Sequence, residues 1–245
     1  MIDTTIVIPL FTYGYLPKKE VSELCLLHYA TWDLPKIVIG SEGKLSRDLF
    51  EACLGPHDTY VEYKQDWTGQ MPSGGLDGLT EKYHAGLKAG FEKYNTKYVT
   101  IIGDDDFFES KYIENLQDGY DVQGLKQSSK ILYDYEKDIA YTVTRDTYEG
   151  FTTGAGLTIS KSFFDKYDQK PFSGDGVSGR DEVGVYQLCI KDNISFLTYD
   201  EIDYIMLKTK VAANPIRMLL TWPGIVFKEI KKPLFLKQIL GEKNG

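Results

Sequence analysis

The chain has 245 residues, 42% hydrophobic and 26% charged, values that suit a globular domain and exclude a disordered or fibrous chain. Thirty-six acids against twenty-eight bases give a net charge of −8, unevenly spread. From Leu207 to Gly245 eight bases face two acids, so a +6 tail follows a −14 body. No apolar run reaches the roughly 18–20 residues of a membrane span, and Met1–Thr5 lacks the basic start of a signal peptide. Three scattered cysteines, Cys25, Cys53 and Cys189, form no CxxC pair. A disulfide framework or zinc cluster is not expected, and a reducing cytoplasm is the expected home.

Thr4–Leu10 reads as a buried first strand, β-branched and stopped by proline. After Pro17, Val21, Leu24, Cys25 and His28 recur at helical spacing. Lys36–Gly40 and Tyr60–Tyr63 read as the next strands. A glycine-rich loop, Thr68–Gly75, precedes a helix with Leu79, Tyr83, Leu87, Phe91 and Tyr94 on one stripe. Lys97–Gly103 is a hydrophobic strand that runs straight into Asp104-Asp105-Asp106. This alternation predicts an α/β fold with a mostly parallel, Rossmann-like central sheet flanked by helices.

Further on, Lys130–Tyr135 and Ile139–Thr144 alternate as a hairpin, and Gly154–Ser160 reads as a strand followed by a short helix. Glu182–Lys191 reads as a helix and Ile194–Tyr199 as extended. No linker interrupts this pattern. The expected organisation is one domain over residues 1–206 and a basic, aromatic extension over 207–245.

The aspartate triplet is the strongest chemical signal. Ligands gather beyond the carboxyl ends of strands in open α/β sheets. Three adjacent carboxylates repel one another, so a cation is expected to neutralise them. Oxygen ligands of this kind select Mg²⁺ or Mn²⁺, held with substrate phosphates. The plain alternative is a solvated acidic turn capping a helix near Ser110.

Strand-Pro-Leu at Ile6–Leu10, the helix before Lys97–Gly103 and Asp104–Asp106 together resemble the GT-A nucleotide-sugar glycosyltransferases, in particular the inverting family 2-like group with an Asp-x-Asp motif. Gly154–Phe164 resembles that family's acceptor-side strand and helix. Gly179-Arg180-Asp181-Glu182-Val183, with the strand at Asn193–Leu197, resembles its acidic-pair helix. The resemblance runs from Thr4 to Tyr199. It implies a metal-dependent transferase that moves a sugar from a nucleotide-diphosphate donor to an acceptor hydroxyl. Mn²⁺ or Mg²⁺ would rest on Asp104 and Asp106, stabilising charge on the leaving diphosphate. Asp181 or Glu182 would be the general base of an inverting displacement. The family writes that pair as Glu-Asp, so either residue remains open as the base. Plain helix capping is the alternative for both.

On the donor side the resemblance implies Pro9, Tyr13, Glu42, His84, Asp104 and Asp105. Thr12–Tyr15 offers aromatic faces after the first strand, and Trp67 a sugar platform or an apolar anchor. Gly40-Ser41-Glu42-Gly43 stands where the family carries an aspartate. His84 stands where it carries an asparagine, and periodicity puts it on the polar face with Thr80 and Lys88, touching donor or solvated. His28 lies on an apolar stripe as a satisfied core histidine, and His57 lies in a turn. Three competing classes remain. Aspartyl phosphatases place such a motif on the first strand, and sugar nucleotidyltransferases open with a basic glycine-rich loop. A non-catalytic carbohydrate- or nucleotide-binding protein on this fold would bind without consuming donor.

Trp222–Lys237 interleaves bases with large apolar residues. Its apolar side can dock on the domain. Alternatively it rests on an anionic membrane surface beside a lipid-linked saccharide, or follows a polyanion such as DNA carrying modified bases. The acceptor is accordingly a glycan, a lipid-linked saccharide or a DNA base, with membrane contact peripheral.

Overall fold

The first strand, β1 (Thr4–Pro9), is buried along its whole length, as its β-branched composition requires of a strand covered on both faces. The computed structural model describes residues 3–10, 16–41, 44–63, 77–125, 130–145, 156–172, 181–199, 204–209 and 225–242. Around β1 lie β2 (Lys36–Ser41), β3 (Thr59–Tyr63) and β4 (Tyr98–Ile101). β2 and β4 flank β1 in parallel and β3 continues the same direction. The sheet is completed by β6 (Val122–Leu125), β9 (Leu157–Ser160) and β10 (Phe196–Tyr199), in the order β10-β6-β9-β4-β1-β2-β3. β9 runs antiparallel to both its neighbours, so the sheet is mostly parallel.

Alternation along β1 sends its side chains to two cores. Ile6 and Ile8 join α1 (Leu16–Ala30) and α2 (Lys44–Cys53) through Val21, Leu26 and Leu49. Val7 faces the other way, towards α3 (Asp77–Tyr94), α5 (Lys161–Lys166) and α6 (Asp181–Lys191), through Leu87, Phe91, Phe163 and Val185. Helices therefore flank both faces of the mostly parallel sheet, the α/β class expected from the sequence. Among the described residues, no helix is long and apolar enough to cross a membrane.

A second sheet was not foreseen. β5 (Asp106–Phe108) begins within the aspartate triplet and pairs antiparallel with β11 (Tyr204–Lys208). β11 runs parallel to β7 (Lys130–Asp134), which forms the expected hairpin with β8 (Ile139–Arg145). β12 (Ile225–Ile230) closes the order β12-β8-β7-β11-β5. Two short helices complete the set, α4 (Lys111–Glu114) and α7 (Leu234–Ile239). The expected boundary between residues 206 and 207 falls inside β11, so the basic stretch begins within a strand of this sheet.

Candidate functional site

From β1 the chain builds outward through β2 to β3, and β4 then returns to the other side of β1. The crevice between the carboxyl ends of β1 and β4 is therefore the switch point of the sheet, where α/β proteins place ligands. Leu10 follows the first of these strands and Asp104–Asp106 the second. Gly103 makes the turn possible, because a Cβ there would overlap the Asp106 carboxylate. The Gly103 amide donates to Asp106 Oδ2 at 3.1 Å, and the Asp106 amide to the Gly103 carbonyl at 3.1 Å.

The three carboxylates meet different partners. Asp104 is buried; its Oδ1 accepts from Lys18 Nζ at 2.6 Å and its Oδ2 from Ser22 Oγ at 2.7 Å, both on α1. Burial opposes the charge on Lys18, but Asp104 and then Asp105 outweigh it and raise its pKa. Asp105 reaches the opening, its side chain 15% exposed, and its Oδ2 accepts from Lys208 Nζ at 2.7 Å. Burial opposes that carboxylate too, yet Lys208 and Lys18 hold its pKa below the ordinary value. Asp106 is buried, and its Oδ1 accepts from the Tyr204 hydroxyl at 2.6 Å. Burial, then the charge of Asp105, pushes its pKa up to about 7.

A third lysine completes the cluster. Lys82 of α3 is fully buried and donates to the Leu10 carbonyl at 3.1 Å. Burial lowers its pKa to about 8, against the pull of Asp104. The counter-charge that the sequence argument assigned to an external cation is thus largely supplied by the protein. Lys18 and Lys208 neutralise two carboxylates, and the third, Asp106, has its pKa pushed up to about 7.

Both oxygens of Asp104 and both of Asp106 accept from protein donors, and each carboxylate oxygen carries two lone pairs. No group of three or more His, Cys, Asp or Glu side chains is placed to hold a metal among the described residues. Asp105 is the most exposed of the three carboxylates.

The remaining candidates lie elsewhere or outside the described residues. Pro9 ends β1, buried and in register with Ile39. Tyr13, Glu42, Trp67, the loop at 68–75 and Trp222 lie outside the described residues. Asp181 and Glu182 open α6, as the helix reading requires, with side chains outside the described set. His84 is not solvated: it is 7% exposed and stacked on Phe172, whose amide donates to its Nε2 at 3.3 Å. Burial lowers its pKa, and its Nδ1 is buried without a hydrogen-bond partner. His28 is the satisfied histidine expected, with Nε2 2.8 Å from the Phe108 carbonyl. It also lines a cavity of about 610 Å³ with Trp32, Glu109, Ile113 and Phe235. That cavity lies beside the last turn of α1 and is also lined by Glu109, Ser110 and Lys111, which follow β5.

Lys18, Ser22, Lys82, Tyr204 and Lys208 were not picked out from the sequence. The pairs Lys18–Asp104 and Lys208–Asp105 span 86 and 103 residues, and no motif announces either. Only the pairing of β5 with β11 brings Lys208 to the triplet.

No protein-family description matches this sequence, and no curated protein matches it. Among solved structures the chain is similar to a cytidylyltransferase from Leptospira borgpetersenii serovar Hardjo-bovis, with TM-score 0.49 and 12% identity, covering 82% of this chain and 77% of that one. It is also similar to S. aureus TarS 1–349, with TM-score 0.49 and 11% identity over 84% of this chain. The chain spans 60% of that TarS fragment and 37% of a longer TarS chain, the latter with TM-score 0.49 and 12% identity.

Proposed function

We propose that the switch-point crevice binds the diphosphate of a nucleotide sugar and that the protein is a glycosyltransferase, transferring the sugar to an acceptor hydroxyl with inversion. The supporting observation is the convergence of three carboxylates and three lysines at the carboxyl ends of β1 and β4. Buried charges are costly, and such clusters concentrate at functional sites. The motif order from Ile6 to Leu197, resembling inverting GT-A transferases, narrows the chemistry to sugar transfer.

In this reading Lys18 and Ser22 fix Asp104, which ties the start of α1 to the end of β4 and shapes one wall of the crevice. The hydrogen bonds of Asp106 to Gly103 and Tyr204 hold the turn that presents Asp105. Mn²⁺ or Mg²⁺ would be held by Asp105 with the donor phosphates, and when bound it neutralises charge on the leaving diphosphate. Asp181 or Glu182 takes the acceptor proton as general base. The acceptor is a glycan, a lipid-linked saccharide or a DNA base, reached through the basic C-terminal stretch.

The test is a screen of nucleotide sugars with Mn²⁺ or Mg²⁺, read as donor consumption and as product configuration by NMR. One donor should be consumed, the product anomer should be inverted, and Asp105→Asn should lose turnover. The amide variant of whichever of Asp181 and Glu182 is the base should lose about 10²–10⁴ in rate. A protein that binds glycan and consumes no donor is a binding protein, and the transferase reading then fails.

A further inference from the structure

The three lysines of the crevice are not equivalent. The Lys18 side chain is 5% exposed and sits on Asp104, whose two oxygens accept from Lys18 and Ser22. Lys82 is fully buried beneath Leu10. Lys208 is 11% exposed at the side chain and reaches the opening together with Asp105. An ammonium carries three N–H donors. Among the described residues Lys208 spends one, on Asp105. Asp134 lies beside it in register on β7, but Asp134 Oδ1 accepts from the Glu136 and Lys137 amides at 3.2 and 3.1 Å.

The backbone around Lys208 is held in place. Leu207 donates to the Asp105 carbonyl at 2.8 Å, and β11 is paired on both sides. Among the described residues, two of the three Lys208 donors therefore meet no partner, at a fixed position beside the switch point.

We propose that Lys208 is the diphosphate-binding cation of this crevice, parked on Asp105 until a ligand arrives. An entering diphosphate takes the ammonium's donors and releases the Asp105 carboxylate for a divalent ion. A diphosphate suits this exchange because it offers more charge and more acceptor oxygens than one carboxylate. Anion binding by the crevice then does not depend wholly on metal. The inference rests on the donor-binding reading of the crevice but not on sugar transfer.

The probe is inorganic pyrophosphate, titrated calorimetrically into the full chain in EDTA and again with Mg²⁺. Wild type should bind saturably in EDTA and more tightly with Mg²⁺. Lys208→Met should lose about tenfold or more in affinity, as expected for a charge-assisted hydrogen bond. Lys208→Arg should keep most of it. Because Lys208→Met strands Asp105, the double variant Lys208→Met/Asp105→Asn removes both charges, and it should melt normally while failing to bind. Absence of wild-type binding in EDTA, or wild-type affinity in the double variant, overturns the proposal. If pyrophosphate binding depends on Lys208 and no donor is consumed, the transferase reading fails and this one stands. If sugar is transferred and the double variant binds pyrophosphate like wild type, only this one fails.

Discussion

Asp104 and Asp106 sit two residues apart, yet the same substitution should affect them differently. Repulsion within a bare triplet would make loss of either carboxylate a relief. The surroundings reverse that for Asp104, whose amide would leave the Lys18 ammonium buried and uncompensated. Asp104→Asn should therefore destabilise by about 3–5 kcal/mol, the cost of breaking a buried pair from one side. Asp106, its pKa pushed up to about 7, is already about half protonated at neutral pH. Its amide is close to isosteric with that neutral form, so Asp106→Asn should cost about 1 kcal/mol or less. Urea unfolding of the two variants checks the contrast, and Lys18→Met/Asp104→Asn should recover much of the loss. His28 gives a pH effect of definite sign. Burial lowers its folded pKa, against the weaker pull of the Phe108 carbonyl. The unfolded chain then takes up a proton near pH 6.5 that the folded chain refuses, so stability falls as pH drops below about 6.5. His28→Gln should flatten that acid limb in urea titrations between pH 7 and 5. At this scale the triplet was legible because adjacent carboxylates are visible in a string of letters. Its lysines were not, because an ion pair across a hundred residues leaves no local pattern.

Elements were more legible than side chains where periodicity was strong. β1, β2 and β4 announce themselves as short apolar β-branched or aromatic runs, and the α3 stripe fixes its buried face. α2 was missed, although Leu45, Leu49 and Cys53 recur at i, i+4 and i+8 and Leu49 is 3% exposed. The small sheet escaped because β5 has three residues, too few to show alternation, and its first is an aspartate. The α3–sheet contact rests on a feature that sequence alone reads backwards. Gly86 lies inside a helix, where Ala is ordinarily better by about 1 kcal/mol. A Cβ at Gly86 would overlap Val7 and come within 3.1 Å of Ile39 Cδ1, both fully buried. Overpacking of that kind costs about 1–3 kcal/mol, which outweighs the propensity gain. Gly86→Ala should lower the melting temperature, and Val7→Ala in the same chain should restore part of it. A rise in melting temperature with Gly86→Ala alone would mean that α3 stands farther from β1 than this packing requires.

At the scale of the whole molecule, the basic tail and the acidic body are parts of one packed structure. β12 pairs with β8 over six residues, and Leu236 of α7 is fully buried in the core that holds Ile6 and Val21. Among the described residues, two of the tail's bases pair internally, Lys208 with Asp105 and Lys232 with Asp138 and Glu242. Lys228 and Lys231 are exposed. Among the described residues Phe227, Ile230, Phe235 and Leu236 thus dock on the domain, in line with the first of the readings open in the sequence, while Val226 and Leu234 are exposed. Contact with a membrane or with DNA would fall to the exposed lysines. These two jobs separate by mutation. Leu236→Ala should cost about 2–5 kcal/mol through the cavity it leaves. Charge reversal at Lys228 and Lys231 together should leave the melting temperature nearly unchanged. It should also weaken any salt-dependent binding to duplex DNA or anionic vesicles. Truncation after Gly224 strips β8 of one of its two neighbours and removes Leu236 from the core. The shortened chain should therefore aggregate or melt early, instead of persisting as a donor-hydrolysing body that has lost only its acceptor. If residues 1–224 melt with the full chain, the tail is an appendage after all, and the apolar contacts of α7 contribute little to the fold.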